Sequence, residues 1–297
     1  MVRSVLKRKM LDTLRSWRAE KGAECLLIKG ARQVGKSYIV AEFGRQDYES
    51  FISIDFIGSP DLKRVFDGPI DADSIYRQIS LVVPGVRFVP GRTLLFLDEI
   101  QECPRARAAL KYLALDGRCD VVASGSLLGI RFKEEAALAS IPVGYEREVE
   151  MGPLDFEEYL WARGYGEDDI ANLREYYESL IPVPVAVNQK MMQMLREYLA
   201  VGGMPAVVDA FARTGNFAVA FDEQSRLLAS YLTTWLDTRK PPSACVRGRA
   251  LNRCRASSQR RIRSSSIPWS RTGERRANLA RPWIGSWEQV WCDGASR

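Results

Sequence analysis

The stretch that most restricts the fold is a glycine-bounded loop between an apolar segment and an amphipathic one. Residues 26–29 read LLIK, the loop from Gly30 to Ser37 reads GARQVGKS, and apolar residues then return at helical spacing. The glycines let the backbone turn so that successive N–H groups face inwards, and the start of a helix adds positive potential there. This order of segments predicts a phosphate-binding loop between a strand and a helix of an α/β fold.

The loop matches the pattern G-x-x-x-x-G-K-[ST] at Gly30, Gly35, Lys36 and Ser37. We expect the Lys36 ammonium to neutralise β- and γ-phosphate oxygens, which also places it among the catalytic residues, and the Ser37 hydroxyl to bind Mg²⁺. The alternative is a glycine-rich turn with an exposed lysine. The predicted nucleotide-binding residues are Gly30, Ala31, Arg32, Gln33, Val34, Gly35, Lys36, Ser37 and Tyr38.

A carboxylate pair ends a second apolar segment, which reads TLLFLDE over 93–99. This is the form expected of a Walker B element. Asp98 is predicted to hold Mg²⁺, directly or through water, and Glu99 to activate the attacking water as a general base. Exposed carboxylates after a strand are common, but the phosphate loop upstream favours the functional interpretation. A general base favours ATP hydrolysis over a small-molecule kinase, which excludes water.

Further candidates follow from the chemistry of phosphate transfer. Ser124, in preference to Ser126, is predicted to contact the γ-phosphate or the lytic water, and a serine–glycine turn is an equal alternative. Arg32 and Arg147 are candidates for a cation that stabilises the transition state, in cis or across a subunit interface, with solvated surface positions as the alternative. Gln101 is a candidate relay of the γ-phosphate state.

Strand and helix patterns alternate through the first half of the chain, which predicts a parallel sheet with right-handed crossovers. The strand candidates are 24–29, 51–56, 93–99, 119–126 and 145–151. The helix candidates here are 4–20, 36–44, 71–81 and 104–115. Helices are then predicted at 155–162, 168–180, 188–200, 205–213 and 217–237. We therefore predict an ATPase domain over 1–152, a helical region over 153–237 and a tail over 238–297.

Charge is divided unevenly between the body and the tail. Residues 238–297 hold 14 Lys and Arg against 3 Asp and Glu, whereas the first 237 residues hold 29 against 34. The tail is rich in arginine, serine and tryptophan and has no lasting period. It is either a disordered basic arm that contacts nucleic acid, or the product of a frame-shifted reading of a GC-rich gene. The DNA sequence around codons 230–245 would distinguish the two.

Several classes of site and location are disfavoured. The chain has no histidine, and its six cysteines form no C-x-x-C pair, which argues against a zinc site and against a Ser-His-Asp triad. Free thiols favour a cytoplasmic protein. No apolar run approaches the ~18 residues that cross a membrane, and the basic N-terminus lacks the features of a signal peptide.

Five blocks, in this order, resemble one family of bacterial and archaeal ATP-binding proteins, which combine an AAA-type ATPase domain with a C-terminal domain of unknown function. The blocks lie within residues 5–235: LLIKGARQVGKSYIVAEFG, YESFISIDF, LLFLDEIQECPRARAALKYLALDGRCDVVASGSLLGI, EMGPLDFEEYLWA and LREYLAVGGMPAVV. The resemblance implies a P-loop NTPase core of the additional-strand type, with one strand between those bearing Walker A and Walker B. It carries over Lys36 and Ser37 as phosphate and Mg²⁺ contacts, and Asp98 and Glu99 as the Walker B pair. The family continues into further parts that are either missing here or replaced by the basic tail.

The sequence thus favours an ATPase that uses Mg²⁺ and relays a conformational change to its C-terminal region. A nucleotide-binding switch or truncated product without turnover is a second hypothesis, and a nucleic-acid-associated ATPase is a third. The absence of an Asn-Lys-x-Asp guanine-binding motif, together with the resemblance, favours ATP over GTP. A protein partner and a homo-oligomer are left open.

Overall fold

The structure is a computed structural model that describes residues 6–20, 22–126 and 144–238, with side chains as far as residue 233. The chain divides into two compact units, Met1–Thr234 and Trp235–Arg297. In the second, only the end of the last helix falls within the described residues. The predicted tail over 238–297 therefore lies almost entirely outside them.

A five-stranded parallel sheet forms the centre of the first unit. Its strands are β1 (Cys25–Gly30), β2 (Ser50–Asp55), β3 (Thr93–Asp98), β4 (Asp120–Ser126) and β5 (Glu146–Glu150). They lie in the order β2-β3-β4-β1-β5, and every neighbouring pair is parallel. β4 lies between β1, which leads into the phosphate loop, and β3, which ends in the carboxylate pair. This is the additional-strand arrangement that the resemblance implies.

Helices cover both faces of this sheet. They are α1 (Met10–Glu20), α2 (Lys36–Asp47), α3 (Ala72–Val82) and α4 (Pro104–Asp116), with short 3-10 turns at Pro60–Phe66 and Ile100–Glu102. Alternate strand residues face opposite sides. Leu27 packs with α3 and α4 in one apolar cluster, whereas Leu26 and Ile28 pack with α1 and α2 in another. Burial on both faces explains why the central strands are apolar almost throughout.

Five further helices follow the sheet. They are α5 (Phe156–Ala162), α6 (Glu167–Glu178), α7 (Val185–Val201), α8 (Pro205–Thr214) and α9 (Phe217–Thr238). Four of them, α5, α7, α8 and α9, share a third apolar cluster that includes Tyr159, Val207 and Phe211, whereas α6 contributes no buried residue. Within the described residues, no helix has the length and apolar character needed to cross a membrane.

The last two sequence blocks, EMGPLDFEEYLWA and LREYLAVGGMPAVV, meet in this helical region. The Leu154 amide donates to the Gly203 carbonyl at 2.7 Å, and the Tyr198 hydroxyl donates to the Leu154 carbonyl at 2.8 Å. A Cβ atom on Gly203 would lie 2.1 Å from that carbonyl oxygen. Glycine is therefore needed at 203 because two backbone segments touch there.

One predicted helix begins later than its apolar pattern indicates. Helical spacing predicts a helix from about Ser4, but α1 begins at Met10. Leu6 packs instead against the cluster of the later helices, and the Lys9 amide donates to a carboxylate oxygen of Glu158 at 2.8 Å. A tertiary hydrogen bond thus takes the place of helix continuation at this point.

Candidate nucleotide-binding site

The loop from Gly30 to Ser37 closes around its own lysine. Lys36 is only 5% exposed, and its ammonium donates to the carbonyls of Gly30 at 3.0 Å and Ala31 at 2.9 Å. Gln33 and Gly35 have positive φ angles of 63° and 97°. Such left-handed residues turn the peptide planes and form the concave backbone that binds anions.

The carboxylate pair lies at the same end of the sheet as this loop, because all the strands are parallel and their carboxyl ends lie together. β1 ends at Gly30 and β3 ends at Asp98. Burial lowers the pKa of Lys36, whereas the charges of Glu99 and Asp98 raise it and that of Arg32 lowers it. Lys36 is therefore within electrostatic reach of both carboxylates and of the loop arginine.

Ser124 contacts the first carboxylate of the pair. Leu97 of β3 is paired with Ala123 of β4, so the next residues, Asp98 and Ser124, lie side by side. The Ser124 hydroxyl donates to Asp98 Oδ1 in a short hydrogen bond, and Ser124 is fully buried. The Glu99 amide donates to the same oxygen at 3.0 Å. Ser124 thus fixes the orientation of the Asp98 carboxylate.

Glu99 has an unusual backbone conformation, with φ 53° and ψ 48°. A non-glycine residue in this left-handed region costs on the order of 1–2 kcal/mol, and such strain clusters at functional sites. The side-chain amide of Gln101 donates a hydrogen bond to Glu99 Oε2. Gln101 is buried, and among the described residues its Oε1 finds no hydrogen-bond partner.

The remaining loop residues differ in exposure. Ser37 and Tyr38 lie at the start of α2 and are exposed, and 45% of the surface of Tyr38 is accessible to solvent. The amides of the first helical turn have no intrahelical acceptor. The Val34 side chain is fully buried in the apolar cluster that α1 and α2 form with one face of the sheet. The exposed face of the loop therefore offers backbone N–H groups and the serine hydroxyl, as a phosphate requires.

Comparison with known protein families supports this description. The family model described as an AAA domain matches residues 23–160, somewhat under half of the chain. The match contains the phosphate loop, the carboxylate pair and Ser124. Residues 23–160 thus form an AAA domain.

Solved structures give more distant likenesses. A Walker-type ATPase of Pyrococcus abyssi is similar over 87% of this chain and 78% of its own, with 15% identity and a TM-score of 0.47. The ORC2 protein of Aeropyrum pernix in its ADPNP–ADP complexes is similar over 52% and 50%, with 16% identity and a TM-score of 0.34. Its ADP form is similar over 58% and 53%, with 15% identity and a TM-score of 0.35. A comparison with curated proteins finds no match.

The two candidate arginines of the AAA domain occupy different places. The charge of Arg32 acts on Lys36, as described above. Arg147 is paired with Leu26 on β1, four residues before Gly30 and so about 13 Å from the loop along the strand. Its guanidinium forms salt bridges with Glu20 and Glu24. The structure thus ties Arg147 to the opposite end of the sheet, and Arg32 alone of the two lies beside Lys36.

The helical region touches the phosphate loop at its tip. The Tyr231 hydroxyl of α9 donates a hydrogen bond to the Arg32 carbonyl, and the Gln33 side-chain amide donates to the Ser230 hydroxyl at 3.2 Å. Sequence reasoning did not find these contacts, which join residues nearly 200 positions apart. No local pattern could have indicated them.

Arg8 is the second feature that the sequence did not reveal. Its guanidinium is buried and donates to the Val34 carbonyl of the phosphate loop at 2.8 Å. It also donates to the Gly152 carbonyl at 2.7 Å and to a Glu158 carboxylate oxygen at 3.1 Å. In the sequence, nothing distinguishes this arginine from the adjacent Lys7 and Lys9, which are less buried.

Proposed function

We propose that the AAA domain hydrolyses ATP with Mg²⁺ and relays its nucleotide state to the helices that follow. The observation that carries this proposal is the juxtaposition of Lys36, inside the loop after β1, with the Asp98–Glu99 pair at the end of β3, which only β4 separates from β1. Binding of phosphate requires only the loop. A carboxylate pair facing the loop adds a metal ligand and a base, which are the groups that hydrolysis needs.

The residues present are suited to hold Mg²⁺. Ser37 is exposed at the helix start, and the two hydrogen bonds that the described residues donate to the Asp98 carboxylate both fall on Oδ1. Oδ2 is thus left to face a cation or its water ligand. Mg²⁺ prefers oxygen ligands of this kind and, when bound, would neutralise charge that develops on the phosphate. We assign Ser37 and Asp98 as its protein contacts.

Glu99 is assigned as the general base. Its side chain is half-buried, and the Gln101 amide holds one carboxylate oxygen. The other oxygen would accept a proton from the attacking water, while Lys36 and Arg32 stabilise negative charge on the phosphate oxygens. Ser124 acts on Asp98 in this scheme rather than on water.

The relay is supported by the contacts between the loop and the later helices. A Cβ atom on Gly35 would lie 4.0 Å from Pro205 and 3.8 Å from Met151, so the Gly-Gly-Met-Pro block lies against the second loop glycine. Tyr231 of α9 holds the Arg32 carbonyl. A shift of the loop on nucleotide binding would therefore act directly on the region assigned to residues 153–237.

The decisive variant is Glu99→Gln, which keeps the size of the side chain and removes the base. We expect ATP affinity within about threefold of wild type and a loss of turnover of at least 10²-fold, the lower end of what general base catalysis contributes. Phosphate release and equilibrium binding of ATP measure the two effects. Glu49→Gln, at an exposed surface salt bridge, is the matched control. Unchanged turnover in Glu99→Gln would remove the role assigned to Glu99.

A nucleotide-binding switch without turnover is the second candidate. The observation in its favour is the hydrogen bond that the Gln101 side-chain amide donates to the Glu99 carboxylate. If wild-type protein binds ATP but releases no phosphate, the switch is preferred.

The nucleic-acid alternative depends on residues 238–297. Loss of DNA affinity on their deletion would assign any such binding to the tail.

A further inference from the structure

Arg8 connects three parts of the chain that are far apart in sequence. Its Nε donates to Glu158, one terminal nitrogen donates to the Val34 carbonyl, and the other donates to the Gly152 carbonyl. Arg8 is 6% exposed and Glu158 is 5% exposed. A guanidinium has donors on three nitrogens in a rigid fork, which suits three separate acceptors better than an ammonium would.

The contact with Val34 determines the direction of a peptide group in the phosphate loop. In a trans peptide the carbonyl and the following N–H point to opposite sides. When Arg8 holds the Val34 carbonyl, the Gly35 N–H must therefore point away from Arg8. The same guanidinium nitrogen would lie 3.9 Å from a Cβ on Gly35, so the contact lies directly behind the loop.

Glu158 fixes the other end of this connection to α5. Its Oε2 accepts from the Asp155 amide at 3.0 Å, while the Asp155 carboxylate accepts from the Glu158 amide at 2.9 Å. This reciprocal pair is a capping box at the helix start. Glu158 Oε1 accepts from both Arg8 and the Lys9 amide. Arg8 is thus anchored to the first turn of α5 by a carboxylate that is itself held rigidly.

We propose that Arg8 is a positioning residue for the phosphate loop, and that the Arg8–Glu158 pair couples nucleotide binding to α5. The coupling rests on the proposed relay, but the effect on nucleotide affinity does not depend on hydrolysis. By linkage, if nucleotide changes the environment of α5, then loosening α5 from Arg8 changes nucleotide affinity by the corresponding factor.

The test uses Arg8→Lys, Glu158→Gln and the double variant of the full chain, with Arg64→Lys as the control. Arg64 is 81% exposed on its own surface turn. The probe is a fluorescent methylanthraniloyl derivative of the non-hydrolysable imido analogue of ATP. We expect each single variant to raise its dissociation constant about tenfold, and the double variant to raise it little further, because both changes break the same connection. Circular dichroism identifies which variants are folded.

Hydrogen exchange supplies a readout that a purely structural role would leave unchanged. We expect the analogue to slow amide exchange over residues 156–162 in wild type and Arg64→Lys, and to leave it unaltered in folded Arg8→Lys or Glu158→Gln. Wild-type affinity and a wild-type exchange response in either folded variant would overturn the proposal, as would a wild-type protein in which the analogue binds without affecting residues 156–162. A wild type that binds the analogue yet hydrolyses no ATP would contradict the proposed function and leave this proposal standing.

Discussion

Replacing Gly30 by alanine should disrupt the phosphate loop through a clash that only the folded structure reveals. Gly30 is the last residue of β1 and has no positive φ angle, so its backbone conformation alone does not require glycine. A Cβ atom built there lies 2.3 Å from the Met151 carbonyl oxygen and 3.3 Å from the Met151 carbonyl carbon. The obstacle is main chain, which cannot rotate aside as a side chain does.

The size of the effect follows from this distance. Ordinary contacts begin at 3.4 Å, so the two groups must separate by about 1 Å. Met151 resists this movement because its amide donates to the Lys29 carbonyl at 2.7 Å, and the adjacent Gly152 carbonyl accepts from Arg8. Overpacking costs about 1–3 kcal/mol, and we expect the upper end here. In a protein of this size, that corresponds to a fall in melting temperature of roughly 6–12 °C.

Thermal unfolding followed by circular dichroism measures this change, with Gly152→Ala as the matched control. A Cβ on Gly152 meets nothing within 4 Å, so that variant should unfold within about 2 °C of wild type, the shift expected for less than ~1 kcal/mol. Equal melting temperatures for Gly30→Ala and wild type would refute the argument. It would mean that β5 moves at little cost, and that the glycine serves the loop alone.

Three further predictions concern the titration of Lys36, the hydrogen bond between Ser124 and Asp98, and the reactivity of two buried thiols. Burial lowers the pKa of Lys36, so between its folded and unfolded pKa values the unfolded chain binds more protons and stability without nucleotide rises with pH. The charge of bound phosphate raises the pKa of Lys36 again. ATP affinity, measured by binding titrations, should therefore fall up to about tenfold per pH unit over the pH range in which Lys36 loses its proton in the free protein. The Lys36→Arg variant should show no such dependence of affinity on pH. Ser124→Ala removes a hydrogen bond to the buried Asp98 carboxylate and should cost about 2 kcal/mol in urea unfolding; an unchanged midpoint would contradict the assigned contact. Burial raises the pKa of Cys119 to about 11 and also raises that of Cys25, so peptide-mapped alkylation at pH 8 should modify both slowly in native protein and rapidly in urea, and equal rates would show that these thiols are open to solvent.

The parts of the site that lie close together in sequence were predictable because their chemistry is local. A turn that presents backbone N–H groups needs glycine at fixed spacing, and an apolar strand followed by two carboxylates marks a strand end. The strands therefore follow from local patterns, whereas the position of β4 between β1 and β3 was implied by the resemblance to a known family. The structure adds that Asp98 and Ser124 are neighbours across two strands, which the register of β3 and β4 determines.

Other parts of the site depend on contacts between distant segments. Arg147 appeared suitable to assist phosphate chemistry, but two glutamates hold it at the far end of the sheet. Arg8 appeared to be one cation in a basic helix, but it lies before that helix and supports the phosphate loop from behind. An arginine's role depends on the acceptors that surround it, and these come from other elements.

The sequence by itself predicted a phosphate loop and a parallel sheet, because these depend on residue spacing and on apolar periodicity, and its resemblance to a known family implied the AAA-type core. Only the tertiary structure decided which groups support the loop. Arg8 and Tyr231 reach the carbonyls of Val34 and Arg32 from opposite ends of the described chain. Backbone carbonyls carry no sequence signature, so the partners that hold them become visible only when the fold brings them together.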